Sequence, residues 1–267
     1  MENTNIFICT PEDFLCEVKN NSYKILNCGS NNLSGNYSLD IINNNNTDDN
    51  IFNLNKFYGE LSGIYSVWKN YDLPDYVGFC HNHKYFNFND NIPNLNELNC
   101  DLIITNPLQF EVSIYEQYKM YHNIEDLDFC INYIKSKYDI TDDAISKIFY
   151  ENKILMVNNM FLTNKEIFNN YCSFFFDIMN EYLKSKNCSN ISDINQMVIN
   201  NFDNYIIPDK NKSDDFINYQ SKIGSFLSER LFTFFVIYNN YKCAFDSNIA
   251  SNNNVRILEC GVKIING

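Results

Sequence analysis

Three histidines occur in the 267 residues, and two of them stand one residue apart in "CHNHK", His81-Asn82-His83-Lys84 after Cys80. Spacing of two puts both imidazoles on one face if the chain is extended there. The chemistry open to such a cluster is contact with a phosphate or a sugar, ligation of a metal, or a purely structural role. As metal ligands, His81 and His83 would need a further donor, and His122, Glu60 and Asp101 are the candidates for a Zn²⁺, Mn²⁺ or Mg²⁺ site. A metal-dependent hydrolase of the amidohydrolase kind would need more histidines than this chain has.

Arginine is equally sparse, with only Arg230 and Arg256. Arg230 follows Glu229 inside the apolar run "GSFLSERLFTFF", where two buried charges must pair or meet a ligand. Arg230 is therefore a candidate for a diphosphate contact or for orienting Glu229. An acceptor hydroxyl needs a base, and Glu229 and Asp126 are the two nominees. Asp126 lies four residues after His122, so the pair would face each other on one helix or form a surface pair. Asn159, a polar group within "VNNMFLT", needs partners if buried.

These residues are delivered by alternating elements. Short apolar runs predict strands at "NIFIC", "YKILNCG", "DYVGFC" and "CDLIITNP", with another over 154–163. His81 to Lys84 would then end an inner strand. Helices are predicted over 55–70, where Leu61, Ile64, Tyr65 and Trp68 form a stripe, and twice over 113–138. Further helices are predicted over 142–150, over 164–185 with Asn164 as cap, and over 219–241. Residues 30–50, with the Asn43–Asn46 run, and residues 187–215 read as polar loops, and the tail after Arg256 as strand. The alternation predicts an α/β three-layer sandwich with a mainly parallel sheet, in one domain over 1–267. Ligands of such sheets bind beyond the carboxyl ends of the strands.

Net charge is −13, which opposes nucleic-acid binding. A local positive pocket for a small phosphate ligand remains compatible with it. The ten cysteines form no CxxC pair and several sit in apolar runs, as buried reduced thiols do. The N-terminus has no signal-peptide pattern and no run is long enough to span a bilayer. The expected location is cytoplasmic, or peripheral to a membrane.

Four stretches then stand out by their order: "YGELSGIYSVWKN", "DYVGFCHNHKYF", "VNNMFLTNKEIFNNYCSFFFDI" and "GSFLSERL". Together with "DDNIFNLN" and "YEQYKMYHNIEDLD" they resemble the glycosyltransferases of capsular and exopolysaccharide biosynthesis, the domain of unknown function 4422, over about residues 48–245. The resemblance implies a GT-A-like (Rossmann-like) fold and a hexosyltransferase that takes a nucleotide-sugar donor, a UDP-sugar. Its acceptor would be a saccharide or glycoconjugate. It places His81, Asn82, His83 and Lys84 where GT-A enzymes carry the Asp-x-Asp that holds a divalent cation (Mn²⁺ or Mg²⁺), and where relatives carry His-Tyr-Arg-Arg. A cation there would stabilise the leaving diphosphate; histidine and lysine lack the bidentate fork of arginine. Glu60, Ser62, Tyr65 and Lys69 would line the donor cleft, and Asn159 would contact the transferred sugar. The altered segment leaves a second expectation, a catalytically decayed carbohydrate-binding or interaction module on the same fold.

Overall fold

The computed structural model describes residues 3–29, 31–43, 49–86, 88, 92–208 and 210–245, and the backbone of 246 and 255–258. Asn44–Asn46 and the tail beyond 258 lie outside the described residues.

The apolar runs become strands β1 (Thr4–Thr10), β2 (Tyr23–Asn27), β3 (Ile41–Asn43), β4 (Tyr76–His81) and β5 (Leu102–Thr105). A small two-stranded sheet follows, β6 (Leu108–Gln109) with β7 (Ile154–Leu155). The main sheet is completed by β8 (Phe161–Asn164), β9 (Cys243–Asp246) and β10 (Val255–Leu258). Its order is β10-β9-β5-β8-β4-β1-β2-β3.

Pairing is parallel from β4 through β1 and β2 to β3, and between β5 and β9. β8 runs antiparallel to both β4 and β5, and β10 runs antiparallel to β9. The sheet is thus mixed and mainly parallel. The reversal of β8 has a consequence for the site. An antiparallel strand begins at the edge where its parallel neighbours end, and the register pairs Phe161 with both Phe79 and Ile104. The turn before β8 is therefore delivered beside His81.

Strand side chains alternate between two cores. Phe7, Cys9, Leu26, Val77, Phe79, Leu102 and Phe161 face the helices. Ile6, Ile8, Ile25, Cys80, Ile103 and Leu162 face the other way, onto irregular chain that includes Phe14, Leu33, Phe86 and Leu95. The three layers are thus helices, sheet and loop segments.

The helices are α1 (Asn55–Tyr58), α2 (Leu61–Asn70), α3 (Ile114–Tyr121), α4 (Ile124–Tyr138) and α5 (Asp142–Ile145), the last continued by a π-helical turn, Ser146–Glu151. Then come α6 (Lys165–Ser185), α7 (Ile191–Asn200), α8 (Asp214–Gln220) and α9 (Ile223–Tyr238). Asn164 caps α6 by accepting from the Ile167 N–H, as predicted. Of the α2 stripe, Leu61 and Ile64 are buried and Tyr65 and Trp68 half-buried, with Trp68 stacked on Phe176 at 5.7 Å.

Several elements differ from expectation, β3 among them, a short strand inside the 30–50 stretch that reads as loop. The helix predicted over 55–70 is divided at Gly59, which has φ 57° and whose absent Cβ leaves room for Ser225 Oγ of α9. The strand predicted over 154–163 is interrupted by Asn158 and Asn159, both left-handed, at φ 69° and 48°. Two successive positive-φ residues make a tight turn, which asparagine tolerates. The helix predicted over 219–241 breaks between Gln220 and Ile223. Residues 187–215 hold α7, started by a capping box of Asn190 and Asp193, and the beginning of α8, capped by Ser213.

Candidate active site

At the carboxyl edge of β4 and β5, a cleft of about 590 Å³ opens between the sheet and the ends of α3, α8 and α9. Of the residues nominated from sequence it gathers Glu60, His81, Lys84, Asn159, Glu229 and Arg230 on its walls, with His122. Five elements contribute them, so the cleft exists only in the folded chain.

The Asn158–Asn159 turn ties the walls together. The His81 Nε2–H donates to the Asn158 carbonyl at 2.6 Å. The Asn158 N–H donates to Glu229 Oε1 at 2.8 Å. Asn159 Nδ2 donates to Glu60 Oε1 at 2.7 Å, while its buried Oδ1 has no partner among the described residues. Two carboxylates from different helices are thus aimed by one turn.

Glu229 Oε2 accepts from Arg230 Nη1 at 3.1 Å. That guanidinium is 3 % exposed and also donates to the Phe226 carbonyl and to Gln117 Oε1, with Tyr118 beneath it at 5.2 Å. Burial pulls the Arg230 pKa below its ordinary value. Burial also pushes the Glu229 carboxyl up, against the opposing pull of Arg230 and the Asn158 N–H. Arg230 Nη1 is bonded to both Glu229 and the Phe226 carbonyl and Nη2 to Gln117, while the buried Nε has no partner among the described residues. This geometry is the one expected of a residue that orients Glu229, the other role expected from sequence being a diphosphate contact.

Other nominees sit elsewhere. Asp126 is buried in α4, where it accepts from the Tyr182 hydroxyl at 2.7 Å, and it does not line the cleft. The predicted pairing of Asp126 with His122 on one helix is absent, because α3 ends at Tyr121 and His122 belongs to the cap between α3 and α4. Tyr65 donates to Asp49 and packs on Phe176, and Lys69 lies over the Trp68 ring at 3.6 Å. Ser62 is buried and donates to Asn55 Oδ1. Asn82 and His83 form the tip of the turn after β4, with His83 exposed and bonded to Asn82. Lys84 closes that turn through paired backbone bonds with His81; it forms no ion pair among the described residues.

The donor set does not fit a protein-held divalent cation. His81 Nε2 is committed to a carbonyl, His83 does not line the cleft and is bonded to Asn82, and Asp101 precedes β5 at the opposite sheet edge, where it binds the Lys242 N–H. Among the described residues no three His, Cys, Asp or Glu side chains converge on one point. The described cysteines are all free, and all but Cys16 are buried. No helix of the described residues is long and apolar enough to cross a membrane.

Several cleft residues carry no local signal in the sequence: Gln117, Tyr121, Tyr219 and Phe226. They meet only because α3, α8 and α9 converge. Asn158 alone had a clue, since consecutive asparagines in an apolar run favour a turn.

The model of a family described as "Domain of unknown function (DUF4422)" matches residues 5–206. That match takes in β1 and β2 and ends before Glu229 and Arg230. No curated protein matches the chain in sequence. Among solved structures, the WbbM bifunctional glycosyltransferase, in its apo form, is similar in fold, with a TM-score of 0.62 and 21 % identity over 88 % of this chain. The likeness covers 42 % of that longer chain, so this protein spans less than half its length.

Proposed function

From the premise that the chain belongs to the DUF4422 family, we propose that it is a glycosyltransferase. It moves a sugar, a hexose, from a nucleotide-diphosphate donor, a UDP-sugar, to a hydroxyl of a saccharide or glycoconjugate. The glycosyltransferase of similar fold supports this reading.

One observation carries the mechanism: Glu229 lines the cleft with each carboxylate oxygen held, Oε1 by the Asn158 N–H and Oε2 by Arg230. A carboxylate fixed in place, with its proton affinity raised by burial, suits general-base work near neutral pH. It takes the proton of the acceptor hydroxyl as that oxygen bonds to the anomeric carbon. The bond from that carbon to the donor phosphate breaks, and its electron pair leaves on the nucleoside diphosphate. Lys84 and the turn after β4 stand at the edge where that negative charge accumulates. Glu60 and Asn159 hold the sugar side of the cleft.

The test is direct. UDP should raise the melting temperature, and one UDP-sugar in a panel should release UDP when acceptors are supplied. No stabilisation by any nucleoside diphosphate, with no release from any nucleotide sugar, would refute the proposal.

One feature favours a second reading, a carbohydrate-binding module. With Arg230 spent on Glu229, Lys84 is the one cleft lysine or arginine without a side-chain partner among the described residues. Such a site is short of charge for a departing diphosphate. Nucleotide or saccharide binding without turnover would select that reading.

A further inference from the structure

On the wall of the cleft formed by α3, α8 and the start of α9 lies a group of rings that the mechanism above does not use. Tyr121 and Tyr219 line the cleft with about half of each side chain open, at 51 % and 52 %. Behind them His122 stacks on Phe226 at 4.0 Å, and Tyr219 packs on Phe226 at 5.0 Å. Two half-exposed tyrosines beside one cleft offer apolar ring surface for the C–H face of a sugar ring.

A chain of hydrogen bonds fixes the imidazole at the centre of this group. Gln220 Nε2 donates to the Tyr121 carbonyl at 2.9 Å, so its amide is oriented with Oε1 toward His122. Oε1 can only accept, so the His122 Nδ1, 3.0 Å away, must carry the proton. The other ring nitrogen, Nε2, is then a bare acceptor. It makes no hydrogen bond to any described residue, and it is not among the described polar atoms sealed from solvent without a partner.

We propose that His122, Tyr121 and Tyr219 form a subsite for a neutral saccharide, in which His122 Nε2 accepts a hydrogen bond from a sugar hydroxyl and the tyrosine faces cover the ring. Under the reading given above, this is where the acceptor sits. The environment excludes an anion by its lack of free charge: burial pulls the His122 pKa down to about 3, so the ring stays neutral through the physiological range. Arg230, the nearest cation, is committed to Glu229 and Gln117. Gln117 and Gln220, the polar groups packed nearest on α3 and α8, are uncharged.

The experiment uses the whole chain and a panel of neutral methyl glycosides (glucoside, galactoside, rhamnoside and N-acetylglucosaminide), with binding read by saturation-transfer NMR and titration. At least one glycoside should bind, with ring C–H protons saturated. His122→Phe keeps the ring stack and removes the acceptor nitrogen; it should weaken that binding by ~10-fold, the worth of one neutral hydrogen bond. Tyr219→Ala, at a half-open position where folding is little at risk, should weaken it by a similar factor. Neither change should alter the stabilisation by UDP. Failure of every glycoside to bind, or unchanged binding in both variants, overturns the subsite. The UDP measurement fails or succeeds separately: glycoside binding without a UDP effect keeps the subsite and removes the donor reading, while a UDP effect without glycoside binding does the reverse.

Discussion

Glu229 and Asp126 are both carboxylates pushed to higher pKa by burial, and the sequence nominates both as catalytic base, but the Glu229 side chain is 22 % exposed and Asp126 only 2 %. The fold gives them different work. Glu229 lies between sheet and helices at the carboxyl edge, held by a turn and an arginine, with the cleft before it. Asp126 is sealed among α4, α6 and α7, its partner the Tyr182 hydroxyl, and its pKa is pushed up to about 6. A perturbed carboxylate is a catalytic candidate only where substrate can reach it. Access to the cleft separates the two.

The largest expected effect tests the Glu229 side. Arg230→Met removes the counter-charge of the part-buried Glu229 and the buried bonds to Phe226 and Gln117, which should cost about 3 kcal/mol of stability in denaturant unfolding. Joining it to Glu229→Gln should recover much of that loss, because the uncompensated charge is gone.

Asp126 should behave in the opposite sense. Its folded pKa of about 6 lies above the ordinary 3.8, so its contribution to stability is full below pH 4 and is lost as pH rises through 6. Asp126→Asn retains the acceptor for Tyr182 and cannot ionise. At pH 8 it should therefore be more stable than the parent by up to ~3 kcal/mol, with the gap closing below pH 4. A gap that widens toward acid would mean that Asp126 is ionised and paired in the fold.

The smallest effect concerns the turn that aims the cleft. Asn159→Ala loses the bond to Glu60 and puts alanine at a left-handed position, at a cost of about 2 kcal/mol; Asn159→Gly should lose about 1 kcal/mol, since glycine accepts that backbone. Equal losses in urea unfolding would show that the strained φ carries no cost.

How much of this was readable follows from what each signal depends on. Strand ends and caps are local: the apolar run Tyr76–Cys80 ends at His81, and Asn164 starts α6, as the residues predict. Glu229 and Arg230 were legible because two charges in an apolar helix demand an explanation. That Asp126 lies outside the cleft is not legible in the sequence, since i, i+4 spacing to His122 says nothing of the break between α3 and α4. Nor could Gln220 be tied to His122, 98 residues away, by any local pattern. The turn at Asn158–Asn159 was read through as strand because its apolar flanks outweighed two asparagines, and α7 was missed because its capping box lay in a polar stretch.

The central claim is that the cleft carboxylate, not the sealed one, takes the acceptor proton. Turnover of the active UDP-sugar by Glu229→Gln and Asp126→Asn, measured side by side with UDP stabilisation, tests it most directly. Glu229→Gln should lower kcat by roughly 10²–10⁴-fold, the usual worth of a general base, while UDP still stabilises the fold; Asp126→Asn should retain turnover. Normal turnover in Glu229→Gln, or a loss confined to Asp126→Asn, would contradict the account.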